Sequence, residues 1–235
     1  MYDKLFALTF SNAHTATRWD DRHELNFDEL VELLTTPQVG PKEGRCFMPG
    51  TLRVPQRKLE NVEQISVAIL DSDAGHTLDE IQTAAPILDA PSIAHSTHSH
   101  MKATTEIAAV PYEKWAGENP GASVEAYLLE KGKYLPRVLR EARIVGEVMR
   151  GSARLLIVEH QPCPKFRIVV PLADPWRTDY FITRGEANAH WAACARNLAR
   201  VLGLQHDRAC EDISRLFFLP RIATPASPFE FAVIK

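Results

Sequence analysis

The apolar positions change period along the chain, and each period assigns an element. In NFDELVELLTT, Phe27, Leu30, Val31 and Leu34 recur at helical spacing behind Asn26 and two acids, which predicts a short capped amphipathic helix. A Pro- and Gly-rich connection, TPQVGPKEGRCFMPG, follows it. ENVEQISVAIL then gathers β-formers into a buried strand that stops on Asp71-Ser72-Asp73. Thr77 is placed to cap a helix over LDEIQTAA, which Pro86 ends, and PSIAHSTHSHM reads as the next strand. A strand–helix–strand unit predicts two neighbouring parallel strands with their carboxyl ends on the same side.

Residues 104–150 change character. VEAYLLEKGKYLPRVLREARIVGEVM reads as helical, with Pro136 opening or kinking a segment, and so as an insertion between the early strands and a later pair. ARLLIVEH, the tight QPCP and KFRIVVPL predict a β-hairpin. From Arg184 to Leu202, the spacing of Ala187, Trp191, Cys194, Leu198 and Leu202 predicts one packed helical face, closed by Gly203. SRLFFLP is the last expected strand, and RIATPASPFEFAVIK is expected to be irregular before a short apolar ending. Trp176 and Trp191 read as core aromatics in preference to base-stacking platforms.

Composition narrows the class without naming it. With 235 residues, 45% hydrophobic and 24% charged, the chain is long enough for one large domain or two small ones. No apolar run approaches the roughly 20 residues that span a bilayer, and MYDKLFALTF lacks the pattern of a leader; a soluble cytosolic protein without a membrane partner is the expectation. Cys46, Cys163, Cys194 and Cys210 form no C-x-x-C pair, so they read as free thiols. The net charge of −3 excludes a protein basic all over, though a polyanion needs only a local basic groove.

The candidate chemistry lies at strand ends. Asp71 and Asp73 are two apart, so in a strand they share a face and repel; a hard divalent cation such as Mg2+ or Mn2+ would relieve that. The plain alternative is a solvated strand end running into a capped helix. Three further clusters recur at such positions: HSTHSH, Lys165 with Arg167, and HDRACEDISR with Asp207, Asp212 and Arg215. Three carboxylates facing several cations suit a two-metal site acting on a triphosphate. The histidines alone would suit a transition metal, with His98 and His100 on one strand face, but no further ligand has a fixed spacing to complete that site. Between Lys131 and Arg154 stand Lys131, Lys133, Arg137, Arg140, Arg143, Arg150 and Arg154, against Glu141 and Glu147. On a helix, Arg137, Arg140 and Arg143 would form a basic stripe, either a solvated face or a hold on a template strand.

In this order, the motifs Asp71-x-Asp73, STHSH, KFRIVVPL and D-x4-D-x-SRLFFLP resemble the archaeo-eukaryotic primase superfamily, specifically the primase-polymerases of phages and plasmids. The resemblance covers roughly residues 60–102 and 153–222. It implies an α/β (α+β) fold: a small mixed RNA-recognition-like sheet with catalytic acids at strand ends, joined to an N-terminal α/β module over 1–60. The whole of 1–235 would be one catalytic domain, with 104–150 as a helical insertion and 153–222 as the later half of the sheet. Asp71, Asp73 and either Asp207 or Asp212 would hold two Mg2+ or Mn2+ ions. Ser99 and His100 match the second motif, with His100 preferred over His98, and Lys165, Arg167 and Arg215 match positions that grip triphosphate. Arg137, Arg140 and Arg143 would be candidates for the template. The implied activity is primer synthesis or extension from NTPs or dNTPs on single-stranded DNA, by a cytoplasmic replication protein of a phage or plasmid, with a replicative helicase as a partner in cis or in trans. The same acids would also serve a metal-dependent nuclease or phosphohydrolase, and a silent replication initiator would bind DNA without using them.

Overall fold

The structure is a computed structural model that describes residues 4–132 and 134–235; Lys133, one of the basic residues noted above, lies outside them. In chain order the N-terminal part holds β1 (Phe6–Ser11), β2 (Asp21–Leu25), α1 (Phe27–Thr35), β3 (Gln38–Val39), β4 (Cys46–Met48) and β5 (Gly50–Leu52). Next come β6 (Val62–Ser72), α2 (Leu78–Ala84), β7 (Ser92–Ser96) and β8 (Lys102–Ala108). The helices α3 (Ala109–Glu118), α4 (Val124–Tyr127) and α5 (Pro136–Leu139) precede β9 (Arg143–Arg150), β10 (Ala153–Cys163) and β11 (Phe166–Arg177). The chain finishes with α6 (Arg184–Val201), β12 (Phe217–Phe218), β13 (Arg221–Ile222) and β14 (Phe231–Ile234).

This is a mixed α+β fold organised by a five-stranded sheet in the order β14-β7-β11-β6-β5. Its long strands are apolar on both faces because both faces are covered. Ala68, Leu70, Ile168 and Ala94 join the core beneath α2 and α6. Val67, Ile69, Val169 and Ile93 join a second core with Phe6, Leu8, Phe47, Leu30 and Leu34 of the N-terminal layer. Period-two alternation therefore sorts each strand between two cores. The edge strand β5 comes so close to β6 that a Cβ on Gly50 would stand 1.8 Å from the Gln64 carbonyl oxygen.

Several expectations are met locally. Asn26 and Thr77 each cap their helix, as does Thr183, which the sequence reading did not single out, and in each case the cap's own N–H donates in return to the carboxylate of Glu29, Glu80 or Glu186. Gly203 ends α6 at φ +65°. Trp191 is buried, and Trp176 packs against it.

The pairing differs from the sequence reading. β6 and β7 run parallel but are not neighbours, since β11 lies between them, antiparallel to both. Every ladder of the central sheet is antiparallel, so it is not a mixed sheet; the parallel pairing is β13 with β3. β10 and β11 do not form a hairpin, because β10 leaves for a separate sheet of order β8-β10-β9. Residues 104–150 thus include most of β8 and all of β9, and the insertion is a three-stranded sheet with short helices rather than a helical block. The Pro/Gly-rich connection holds β3 and β4 and runs into β5, and the tail supplies β14 to the central sheet. Cys194 is exposed, and the packed face of α6 is Ala187, Trp191, Ala192, Ala195 and Ala199. Among the described residues no helix is long and apolar enough to cross a membrane.

Candidate active site

The site forms where β6, β7 and β11 end side by side. Register sets Arg167 opposite both Asp71 and His95, so the three side chains share one face in a row across the sheet. Arg167 clasps Asp71 with two bonds, Nε to Oδ1 at 2.7 Å and Nη2 to Oδ2 at 3.0 Å, and gives Nη1 to the Phe218 carbonyl at 2.8 Å. Only 10% of the Asp71 side chain and 11% of that of Arg167 are exposed. Burial by itself raises the Asp71 carboxyl, but the charge and hydrogen bonds of Arg167, helped by Arg215 and His95, leave it below the usual range.

Past Ser72 the chain turns at Gly75, whose φ of +105° and crowding by Val138 exclude a side chain. That turn is held by the insertion. Arg137 donates from Nη2 to the Gly75 carbonyl at 2.8 Å and from Nη1 to Glu80 at 2.6 Å, and Leu135 N–H reaches the Ala74 carbonyl at 2.8 Å. Arg137 in turn holds the Glu80 carboxyl down at about 2. Asp73 sits in this braced turn with Lys165 Nζ 3.8 Å away. Burial raises its carboxyl, Lys165 opposes this, and the negative charges of Asp71 and Asp207 raise it further.

The third acid arrives from the far end of α6. Asp207 N–H donates to the Asp71 carbonyl at 2.8 Å, and its Oδ1 accepts from Ala209 N–H at 3.0 Å, capping the short 3-10 turn Arg208–Glu211. Its Oδ2 lies 3.6 Å from Arg215. Asp73 and Asp207 line one cleft of about 320 Å3, with Gln205, His206 and Arg208. Asp212 is elsewhere: exposed, it accepts from the N–H and hydroxyl of Ser214, both at 2.8 Å. Of Asp207 and Asp212, Asp207 borders the cleft with Asp73 and Asp212 does not.

The histidines part company because β7 stops at Ser96 and the rest of the motif is a turn. His98 and His100 accordingly share no strand face. The buried His100 ring accepts at Nδ1 from Lys165 N–H at 3.1 Å, turns Nε2 toward Glu230 at 3.7 Å, and packs edge-on to Phe166. Burial lowers its basicity, against the pull of Glu230. His98 instead lines a small cavity with Lys42, Arg167 and Arg221. Sequence reasoning missed Lys42 and Arg221. Lys42 is in the loop after β3 and Arg221 on β13, whose pairing with β3 joins segments distant in the chain. Ser99 lies in the same turn as His100.

The expected basic stripe is absent as a stripe. Arg137 is on α5, Arg140 in the following turn and Arg143 on β9, where it pairs with Glu159 at 2.6 Å. Arg150 and Arg154 also face acids, Glu106 and Glu113.

The donor chemistry fits a hard divalent cation. Asp73 and Asp207 border one cleft, the negative charge of Asp207 helps raise the Asp73 carboxyl, and each Asp71 oxygen keeps a lone pair beyond the Arg167 clasp. Among the described residues no three metal-ligating side chains stand in a ready-made cage, and Lys165, Arg167 and Arg215 each lie against one of the carboxylates. Comparison with family models, with curated proteins and with solved structures finds no match to this chain.

Proposed function

We propose that the protein is a DNA-templated nucleotidyltransferase, a primase-polymerase joining NTPs or dNTPs on single-stranded DNA. One observation carries the reading: Asp71, Asp73 and Asp207, from two distant segments, meet at one end of the central sheet with Lys165, Arg167 and Arg215 interleaved.

Asp73 and Asp207, with Asp71 behind them, would hold Mg2+ or Mn2+, which supplies activation of the attacking 3′-hydroxyl and charge neutralisation on the phosphates. Lys165 and Arg215 stand over the same acids and offer donors to phosphate oxygens entering the cleft. Arg167 fixes Asp71 and polarises the row toward His95. His100, through its bond from Lys165 N–H, orients the backbone that presents Lys165, so it acts as a positioning residue. A template strand and a helicase partner belong to the same proposal, as does a phage or plasmid setting.

Incubation with end-labelled template, labelled nucleotides and Mn2+ tests the reading. Template-length extension products are expected. Shortened template without incorporation would mean a nuclease, and retention of DNA without either product would mean an initiator module.

A further inference from the structure

A further polar cavity lies at the other end of the central sheet. Thr178, just past β11, donates its hydroxyl to the Val62 and Glu63 carbonyls at 2.9 and 3.0 Å, and Arg53 N–H, just past β5, donates to the Asn61 carbonyl at 2.8 Å. Both therefore sit where β6 begins, roughly 30 Å of strand away from Asp71 near its end. Together with Asp179, Phe181, Ile182 and Arg184 they line a cavity of about 170 Å3.

The cavity holds positive charge that its own lining does not balance. Asp179 is the acid of that lining, and Arg177 engages it from Nη2 at 2.7 Å and from Nε at 3.0 Å. Arg53 and Arg184 have no carboxylate within ion-pair distance among the described residues. Arg184 Nη1 is also buried without an acceptor among them, although buried polar groups normally have partners. Burial and the neighbouring Arg53 charge both lower the basicity of Arg184, against the pull of Asp179, as like charges brought together must. Arg184 opens α6, whose capping box takes the N–H groups of Thr183 and Glu186; the N–H groups of Arg184 and Gly185 have no partner within the helix.

Charge and size define the guest. Two cations without a counter-ion match one dianion, and a phosphate monoester carries about −1.5 to −2 charges at neutral pH with three acceptor oxygens; a carboxylate would balance only one of the two. One water needs roughly 10–15 Å3 on the same kind of measure, so the cavity leaves space beside a phosphate group. That space is bordered by Phe181, which packs on Trp176 with 5.5 Å between ring centroids, and by Ile182, 96% exposed, an apolar wall for a substituent. We propose that this cavity binds small organic phosphate monoesters with a flat or apolar substituent, gripped by Arg53 and Arg184. The site is separate from the acid cluster and does not depend on the nucleotidyltransferase reading.

Calorimetric titration of the full chain with phenyl phosphate, a nucleoside 5′-monophosphate and inorganic phosphate tests the site, each without divalent metal so that the carboxylates of the acid cleft repel the anions. Both esters are expected to bind at least about fivefold more tightly than inorganic phosphate. Arg53→Gln and Arg184→Gln should each weaken ester binding by about tenfold or more, the loss of a charge-assisted bond, with urea midpoints unchanged. Phenyl phosphate binding as tightly as the nucleotide, or more so, would assign recognition to the phosphate and a flat ring alone, and tighter binding of the nucleotide would make a free mononucleotide the guest; both outcomes keep the site. Binding of neither ester at millimolar concentration, inorganic phosphate binding as tightly as the esters, or ester binding untouched by both substitutions would overturn it.

Discussion

Asp71 has two duties that pull in different directions. As a member of the acid cluster it faces the proposed chemistry; as the partner of a guanidinium with 11% exposure it holds the sheet together. Removing one member of a buried pair typically costs about 3–5 kcal/mol, because the other charge is left stranded. Asp71→Ala is therefore expected to lower unfolding free energy by about that amount in urea titrations, and its loss of activity would mix folding with chemistry. Asp73, with 49% of its side chain exposed, is the cleaner probe: Asp73→Asn should abolish synthesis and change stability by less than about 1 kcal/mol. A large stability loss in Asp73→Asn would contradict that division of labour.

His95 gives this row a pH signature. Burial, then the nearby Arg167 charge, press its basicity from 6.5 down to about 4. The native state thus refuses a proton that the unfolded chain accepts below 6.5. Stability from this group is complete above pH 6.5 and is lost as pH falls toward 4, by about 3 kcal/mol at most. Urea midpoints measured across that range should fall with pH in the wild type and fall less in His95→Gln. Parallel slopes in the two proteins would remove His95 as the cause. The Asp71–Asp73 pair was legible in the sequence as two acids closing an apolar run, but the shared strand face expected of them does not form, because β6 ends at Ser72 and Asp73 stands in the turn beyond it. The clasp by Arg167 was not, because it depends on cross-strand register.

At the scale of elements, the local signals were strong and the partners silent. The three capping boxes, the stop at Gly203 and the buried run of β6 follow from neighbours in sequence. β14 does not: FAVI is four residues after a Pro-bearing segment, and it is a strand because β7 offers an edge to pair with at His95 through Ser92. β9 was mistaken for helix since its apolar residues, exposed on the outer strand of a small sheet, lack a clean period of two. The insertion's role also emerges only here. Arg137 on α5 braces the turn that carries Asp73, through an ion pair whose members are 41% and 43% exposed. Pairs that exposed contribute about 0–1 kcal/mol, so Arg137→Ala should barely shift the melting temperature. It should nevertheless slow synthesis by roughly tenfold by loosening the acid's support. Unchanged synthesis would show that the turn needs no brace.

For the whole molecule, the central sheet is a wall between two cores, and the candidate site opens at its rim where the N-terminal layer, the insertion and the segment after α6 converge. Gly50 marks how closely the edge strand β5 approaches β6 within that sheet; Gly50→Ala, with its Cβ driven to 1.8 Å from a backbone oxygen, should cost upwards of about 3 kcal/mol in urea denaturation. Which strands meet was not readable from periodicity, so neither was the choice between two acids five residues apart. The most direct measurement of the account is DNA-templated nucleotide incorporation by Asp207→Asn beside Asp212→Asn. Convergence at the sheet's rim predicts a loss of roughly a hundredfold or more in the first and a rate within about twofold of wild type in the second. Equal rates in the two variants, or a loss confined to Asp212→Asn, would contradict it.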